Sequence, residues 1–222
     1  MHSHLIPGID DGSPNMDDSI AMLAKFESLG YRKVITTPHI MTEVYPNTPE
    51  IINNGLAELE KAIKEVGLSI EIQAAAEYYF DDFLIQKIRN KSLLTFGDSF
   101  VLVEFSFHTE PSYEHQLLFE MQTSGYKPVI AHFERYSYYH GTIDKAIEFK
   151  EKGANIQLNL LSLSGNYGQE VKKQAERLID AKLVDFVGTD CHRMDHLMLI
   201  EQQLKNPYFH KLADLTLKNR SL

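Results

Sequence analysis

Short runs rich in β-branched and apolar residues alternate along the chain with longer segments of helical period, and capping residues separate them. The runs Lys33–Thr37, Ser69–Ala74, Phe100–Val103, Lys127–Ala131, Ala154–Leu158 and Val184–Gly188 read as strands. Between them, a helix is predicted from Ser13-Pro14, with Ser13 as cap, to Gly30, and another from Thr48-Pro49-Glu50 to about Val66-Gly67. Further helices are predicted over Tyr79–Arg89, Tyr113–Ser124, Thr142–Lys152, Gly168–Ala181 and Asp195–Leu204. A first strand cut short at or before His2 brings the pattern to about seven βα units, and that order implies a parallel sheet with right-handed crossovers. No dinucleotide-type glycine motif follows the first strand, which favours a closed, irregular α/β barrel over an open doubly wound sheet.

At 222 residues the chain suits one domain, and 43% hydrophobic with 24% charged residues is ordinary globular composition. No apolar run approaches the length of a membrane span, and Met1-His2-Ser3-His4 carries no targeting pattern, so a cytoplasmic location is expected. A net charge of −9 without any Lys/Arg cluster argues against nucleic acid as a partner. The single cysteine, Cys191, forms no internal disulfide, in keeping with a reducing compartment.

Composition does not explain what ends the strands. They close on His2-Ser3-His4, Thr37-Pro38-His39, Ala76-Glu77, Val103-Glu104, Ala131-His132, Leu158-Asn159 and Thr189-Asp190-Cys191-His192. In a parallel barrel these ends converge on one face. His2 and His4, like Asp190 and His192, are two apart and on extended chain project to one side. Asp10-Asp11-Gly12 could be a plain turn, or could return a carboxylate over the same face. His39 and His132, taken singly, read equally as core histidines. Glu77 and Glu104 ending apolar runs would be costly to bury without partners. Together the set points to two or three divalent ions held by mixed N/O ligands, which suits Mn, Fe or Zn. Metals a few ångströms apart can generate hydroxide and clamp the attacking and leaving oxygens of a displacement. Arg135, three residues after His132, could bind phosphate oxygens through paired hydrogen bonds, the competing reading being a surface ion pair with Glu134.

These residues resemble the polymerase and histidinol phosphatase (PHP) superfamily, and within it the bacterial tyrosine phosphatases encoded with capsule and exopolysaccharide synthesis. The likeness spans the chain and is carried by His2–Gly12, Thr37-Pro38-His39, Glu77-Tyr78-Tyr79, Glu104-Phe105, His132–Tyr136, Gln157-Leu158-Asn159 and Asp190–His192. The resemblance implies a single PHP metallophosphoesterase domain over 1–222, built as an irregular seven-stranded, TIM-like (β/α)7 barrel. It implies a trinuclear site ligated by His2, His4, Asp11, His39, Glu77, Glu104, His132, Asp190 and His192, with Glu77 or Glu104 as bridges. Manganese is the expected metal, with iron, zinc or magnesium as alternatives. Arg135, His132 and His39 are the expected catalytic residues, Arg135 matching the family's phosphate-binding arginine.

The implied reaction is hydrolysis of phosphotyrosine on an autophosphorylating kinase that controls polysaccharide synthesis. The alternatives are hydrolysis of a small ester such as histidinol phosphate, or a non-catalytic metal-binding regulator; a homo-oligomer is compatible with each. The chain departs from the pattern at Phe133, which stands where proline is common, and after His192, where Arg193 or His196 stands in for a second phosphate-contacting arginine. Tyr136, Tyr138 and Tyr139 read as packing rather than as a substrate cleft, and Cys191, lying between two expected ligands, does not suit a cysteine-nucleophile phosphatase.

Overall fold

A computed structural model describes residues 1–222. The helices form where capping chemistry permits. Thr48 accepts from the Ile51 N–H, Pro49 opens α2 (Pro49–Val66), and Gly67 at φ 75° ends it in the left-handed conformation glycine tolerates. α1 (Met16–Ser28) is capped by Asn15, not Ser13. Ser13 is instead buried in a turn, its N–H donating to the His4 carbonyl and its carbonyl accepting from the Gly8 N–H. α3 (Asp82–Arg89) begins later than expected, because Tyr79 belongs to a strand and Asp81 caps the helix through the Phe83 and Leu84 amides. α4 (Glu114–Thr123), α5 (Asp144–Glu151), α6 (Gln169–Asp180) and α7 (Met194–Gln202) follow, close to their expected spans. α8 (Pro207–Ala213) was not expected, although Asn206-Pro207 supplies both cap and first-turn proline. No helix is long and apolar enough to cross a membrane.

The strands are β1 (Lys33–Thr36), β2 (His39–Ile40), β3 (Glu71–Ala74), β4 (Glu77–Tyr79), β5 (Phe100–Glu104), β6 (Lys127–Ile130), β7 (Asn155–Asn159) and β8 (Phe186–Gly188). Every pairing between them is parallel: β1 with β3, and β2-β4-β5-β6-β7-β8 in order. β1 and β2 are one strand interrupted at Thr37-Pro38, as β3 and β4 are at Ala75-Ala76, and the breaks face each other, with Thr36 opposite Ala74 and His39 opposite Glu77. Pro38 has no N–H to give the ladder. The expected first strand is reduced to a bridge between Ser3 and Cys191. Even so, the N-terminal segment bonds on both sides. The Asp190 and His4 amides pair it with the end of β8, and the Thr37 N–H donates to the Ser3 carbonyl at 2.7 Å. The result is a curled parallel half-barrel of the α/β class.

Side-chain alternation along the strands separates two environments. Val101, Val103, Tyr78, Ile130, Ile156 and Leu158 join the large core under the helices. Leu102, Ile35, Ala75, Val129 and Phe186 fill a smaller apolar cluster on the opposite face of the strands, within the curl. Continuing that inner face toward the strand ends reaches His39, Glu77, Glu104, Gln157 and Asn159, polar groups set above an apolar floor.

Candidate metal centre

Glu77 is the hub. Its carboxylate is 1% exposed; Oε2 lies 3.1 Å from His2 Nε2, 3.3 Å from His4 Nε2 and 3.4 Å from His39 Nδ1, while Oε1 lies 3.1 Å from His132 Nε2. Asp190 Oδ1 sits 3.2 Å from His2 Nε2 and 3.4 Å from His192 Nδ1. Glu104 faces His132 at 3.4 Å and His39 at 3.7 Å, and Asp11 faces His39 Nε2 at 3.6 Å and His192 Nε2 at 3.5 Å. All the expected ligands thus lie together. Eight of the nine form three overlapping groups of candidate ligand atoms: His4, Asp11, His39 and His192; His2, His4, Glu77 and Asp190; and His39, Glu77 and Glu104; His132 joins none of these and touches them through Glu77 and Glu104.

The imidazoles are oriented from behind. His2 Nδ1 bonds Gln157 Oε1 at 3.0 Å, His4 Nδ1 bonds Asp10 at 2.7 Å and His192 Nδ1 meets the Asp190 carbonyl at 2.9 Å, so each presents Nε2 to the centre. Asp10 and Asp11 therefore do different things: Asp10 holds His4 and accepts from the His39 N–H, while Asp11 reaches the histidines at the mouth. His132 needs more than strand alternation. Val129 and Ala131 share the inner face of β6, so the next side chain should point outward, but a left-handed backbone at φ 30° turns His132 inward. His2 and Asp190 are also left-handed, at 65° and 48°. For non-glycine residues this conformation costs about 1–2 kcal/mol each, and it accumulates where side chains must be aimed.

The donor set fits divalent cations. His4 Nε2 and His39 Nδ1 are buried without a hydrogen-bond partner, and Glu77 and Asp190 are buried carboxylates with one nearby guanidinium between them. Without metal, protons take the cations' place. Burial opposes charge on His2, but Glu77 and Asp190 outweigh it and push its pKa up to about 10. His4 is likewise held well above its usual value against burial, by the hydrogen bond its ring makes to Asp10 and by the nearby carboxylates of Asp190 and Glu77. Burial would lift Glu77 and Asp190, yet the surrounding rings hold both well below the usual carboxylate range.

The ligands floor a cavity of about 380 Å³ whose wall includes Arg135, Arg193, His196, Phe107 and Tyr167. Arg135 Nη1 donates to Asp190 Oδ2 at 2.9 Å. It makes no pair with Glu134, which is fully buried and accepts from the Asn159 N–H and the Ser162 hydroxyl. Arg193 lies at the rim, exposed, with Nε donating to both oxygens of Asp195 at 2.8 and 2.9 Å. Tyr136 and Tyr139 are buried packing residues. Cys191 offers no nucleophile, since burial pushes its thiol up to about 12. Sequence reasoning left open which carboxylate of Asp10-Asp11 returns to the face, named Gln157 only within the Gln157-Leu158-Asn159 motif without a role, and did not single out Phe107 or Tyr167. The inward alternation of Gln157 and Asn159 along β7 was the available signal for Gln157.

A curled parallel α/β sheet with clustered histidines and carboxylates able to hold metal ions at its strand ends defines a protein of the PHP type. More narrowly, the profile of the capsular polysaccharide synthesis CpsB/CapC family matches residues 1–203, and the chain belongs to that family. It is 30% identical to tyrosine-protein phosphatase YwqE of Bacillus subtilis, over all of this chain and 92% of that one. It is 29% identical to tyrosine-protein phosphatase CpsB of Streptococcus pneumoniae, over 98% of this chain and 89% of that one. A crystal structure from work on YwqE and CpsB, described as unique metal-dependent tyrosine phosphatases, superposes with a TM-score of 0.83 at 29% identity, over 96% of this chain and 90% of that one. An organophosphorus hydrolase from Deinococcus radiodurans shares the fold alone, with a TM-score of 0.55 at 11% identity.

Proposed function

We propose that the chain is a metal-dependent protein-tyrosine phosphatase, acting on an autophosphorylating tyrosine kinase of polysaccharide synthesis in the cytoplasm. The observation that carries the reading is the placement of Arg135 at the mouth of a cavity floored by the clustered ligands. Residues 1–222 act as one catalytic domain, and the curled sheet, counted with the N-terminal segment, is a seven-unit (β/α)7 barrel. His2, His4, Asp11, His39, Glu77, Glu104, His132, Asp190 and His192 would hold two or three ions, manganese foremost with iron, zinc or magnesium as alternatives. Glu77, whose two oxygens face different histidines, would be shared among the ligand groups. Ions bound there supply Lewis acidity and a water of lowered pKa.

The chain's own residues supply the rest. Arg135 keeps N–H donors free beyond the one given to Asp190, and these bind phosphate oxygens as negative charge builds in the transition state. His132 and His39 line the same cavity and complete the catalytic group with it. Arg193 at the rim makes the outer phosphate contact once it leaves Asp195. Gln157 and Asp10 hold His2 and His4 in register. The phenolate leaves readily because tyrosine's pKa is near 10, below that of an alkyl alcohol.

The test is phosphate release from a phosphotyrosine peptide by manganese-loaded protein, beside Arg135→Ala, His132→Ala and a chelated control. Activity lost in all three supports the assignment. Preference for a small alkyl phosphate such as histidinol phosphate would replace the substrate, and a metal-loaded protein silent on every phosphoester would make it a non-catalytic regulator.

A further inference from the structure

Arg135 carries a long, flexible side chain on a short 3₁₀ turn (Phe133–Arg135) at a solvent-facing mouth, where a guanidinium would ordinarily sample several rotamers. Here two aromatic rings pack against it. Its Cζ lies 4.5 Å from the centroid of the Phe107 ring and 4.3 Å from that of Tyr167. The two rings come from unrelated places, Phe107 from the loop after β5 and Tyr167 from the turn before α6. Each is anchored elsewhere: Phe107 packs on the His132 and Tyr136 rings at 5.3 and 5.8 Å, and the Tyr167 hydroxyl meets the Asn159 side-chain amide at 3.4 Å. That amide also donates to Asp190, the carboxylate that bonds Arg135. With two rings against the guanidinium and one N–H bonded to Asp190, its remaining N–H donors are what it can offer a ligand.

We propose that Phe107 and Tyr167 are positioning residues that clamp the Arg135 guanidinium between them, so that its free N–H donors meet phosphate already aligned. The inference rests on the phosphate-binding role given to Arg135 above. A planar fork recognises phosphate through parallel hydrogen bonds, so holding it in place removes an ordering cost that an unclamped side chain would bear on binding. The clamp acts through Arg135, and its effects vanish when Arg135 is absent.

The experiment uses the full chain with nitrogen-15 relaxation of the Arg135 Nε–H, in wild type, Phe107→Leu, Tyr167→Leu and Tyr167→Phe, with amide spectra establishing that each is folded. The expected result is an ordered Nε–H in wild type and a clear loss of order in both leucine variants, with Tyr167→Phe recovering what Tyr167→Leu loses. Affinity of the metal-loaded protein for inorganic phosphate should fall about 2- to 30-fold for each leucine variant, the span one cation–π contact covers. On an Arg135→Ala background the same substitutions should add no further loss. Phe107→Met replaces Phe107→Leu if the latter does not fold. Unchanged Nε–H order in folded leucine variants would overturn the clamp, as would an equal loss of phosphate affinity without Arg135. Because relaxation needs no substrate, a wild type inactive on phosphotyrosine would remove the proposed function and leave the clamp to be judged on order alone.

Discussion

Protons and metal ions compete for the same nitrogens at this centre, and the competition has a calculable slope. In the metal-free protein His2 titrates at about 10 and His4 well above its usual value, because Glu77, Asp190 and Asp10 hold their charged forms against burial. An unfolded chain releases these protons near 6.5. The contribution of His2 to metal-free stability is therefore fully present below about 6.5 and lost as pH rises through about 10. A bound cation needs the His2 Nε2 bare, so loading near pH 7.5 should expel at least the His2 proton, and apparent affinity should rise at least about 10-fold per pH unit between pH 7 and 9. His132, also raised, adds to the release in the same direction. Calorimetric titration of chelator-stripped protein with zinc or manganese, in two buffers of different ionisation enthalpy, reads the proton count directly. A count near zero at pH 7.5, or an affinity flat from pH 7 to 9, would refute the protonated histidine–carboxylate cluster.

Asp10→Asn should leave the chain folded but weaken metal affinity about 10- to 100-fold by loosening His4, a loss measured as bound metal against free metal. Gly55→Ala, in the middle of α2, would ordinarily gain about 1 kcal/mol of helix stability. Here a Cβ would lie 2.3 Å from Cγ2 of the buried Ile6, so a net loss of about 1–2 kcal/mol is expected from overpacking, and a raised melting temperature would contradict that contact. Removing bound metal should lower stability by about 2.7 kcal/mol relative to protein held at 100 times the dissociation constant, and an unchanged denaturation midpoint after chelation would count against a site linked to folding.

Most of the fold was legible because its signals are local. Thr48-Pro49 and Gly67 bound α2 by capping chemistry that depends on nothing distant. The chemistry was legible because strand ends in a parallel sheet must converge, so residue types at those ends could be pooled before any contact was known. Failures came where tertiary demands overrode local ones. Ser13 surrendered the cap to Asn15 because its backbone closes a turn against His4 and Gly8. Tyr79 carries helix-compatible neighbours but pairs opposite Glu104 in the sheet. The left-handed turn at His132 leaves no trace in composition, yet it decides that the ring faces Glu77 and Glu104 instead of the outer core. The pairing of Arg135 with Asp190 rather than with adjacent Glu134 is likewise a matter of which face each chain segment presents.

The N-terminal segment bonded between the ends of β1 and β8 gives the centre a place in time as well as in space. The Thr189 hydroxyl donates to the His2 carbonyl across 187 residues of chain, so His2 and Asp190 become neighbours only when the sheet's two flanks have met. Such long-range closure is slow compared with local helix formation. On the proposed ligand set, ion capture follows the completion of the curl, and a chain still being synthesised, without Asp190 and His192, would offer the cell's metal pool no complete site to occupy.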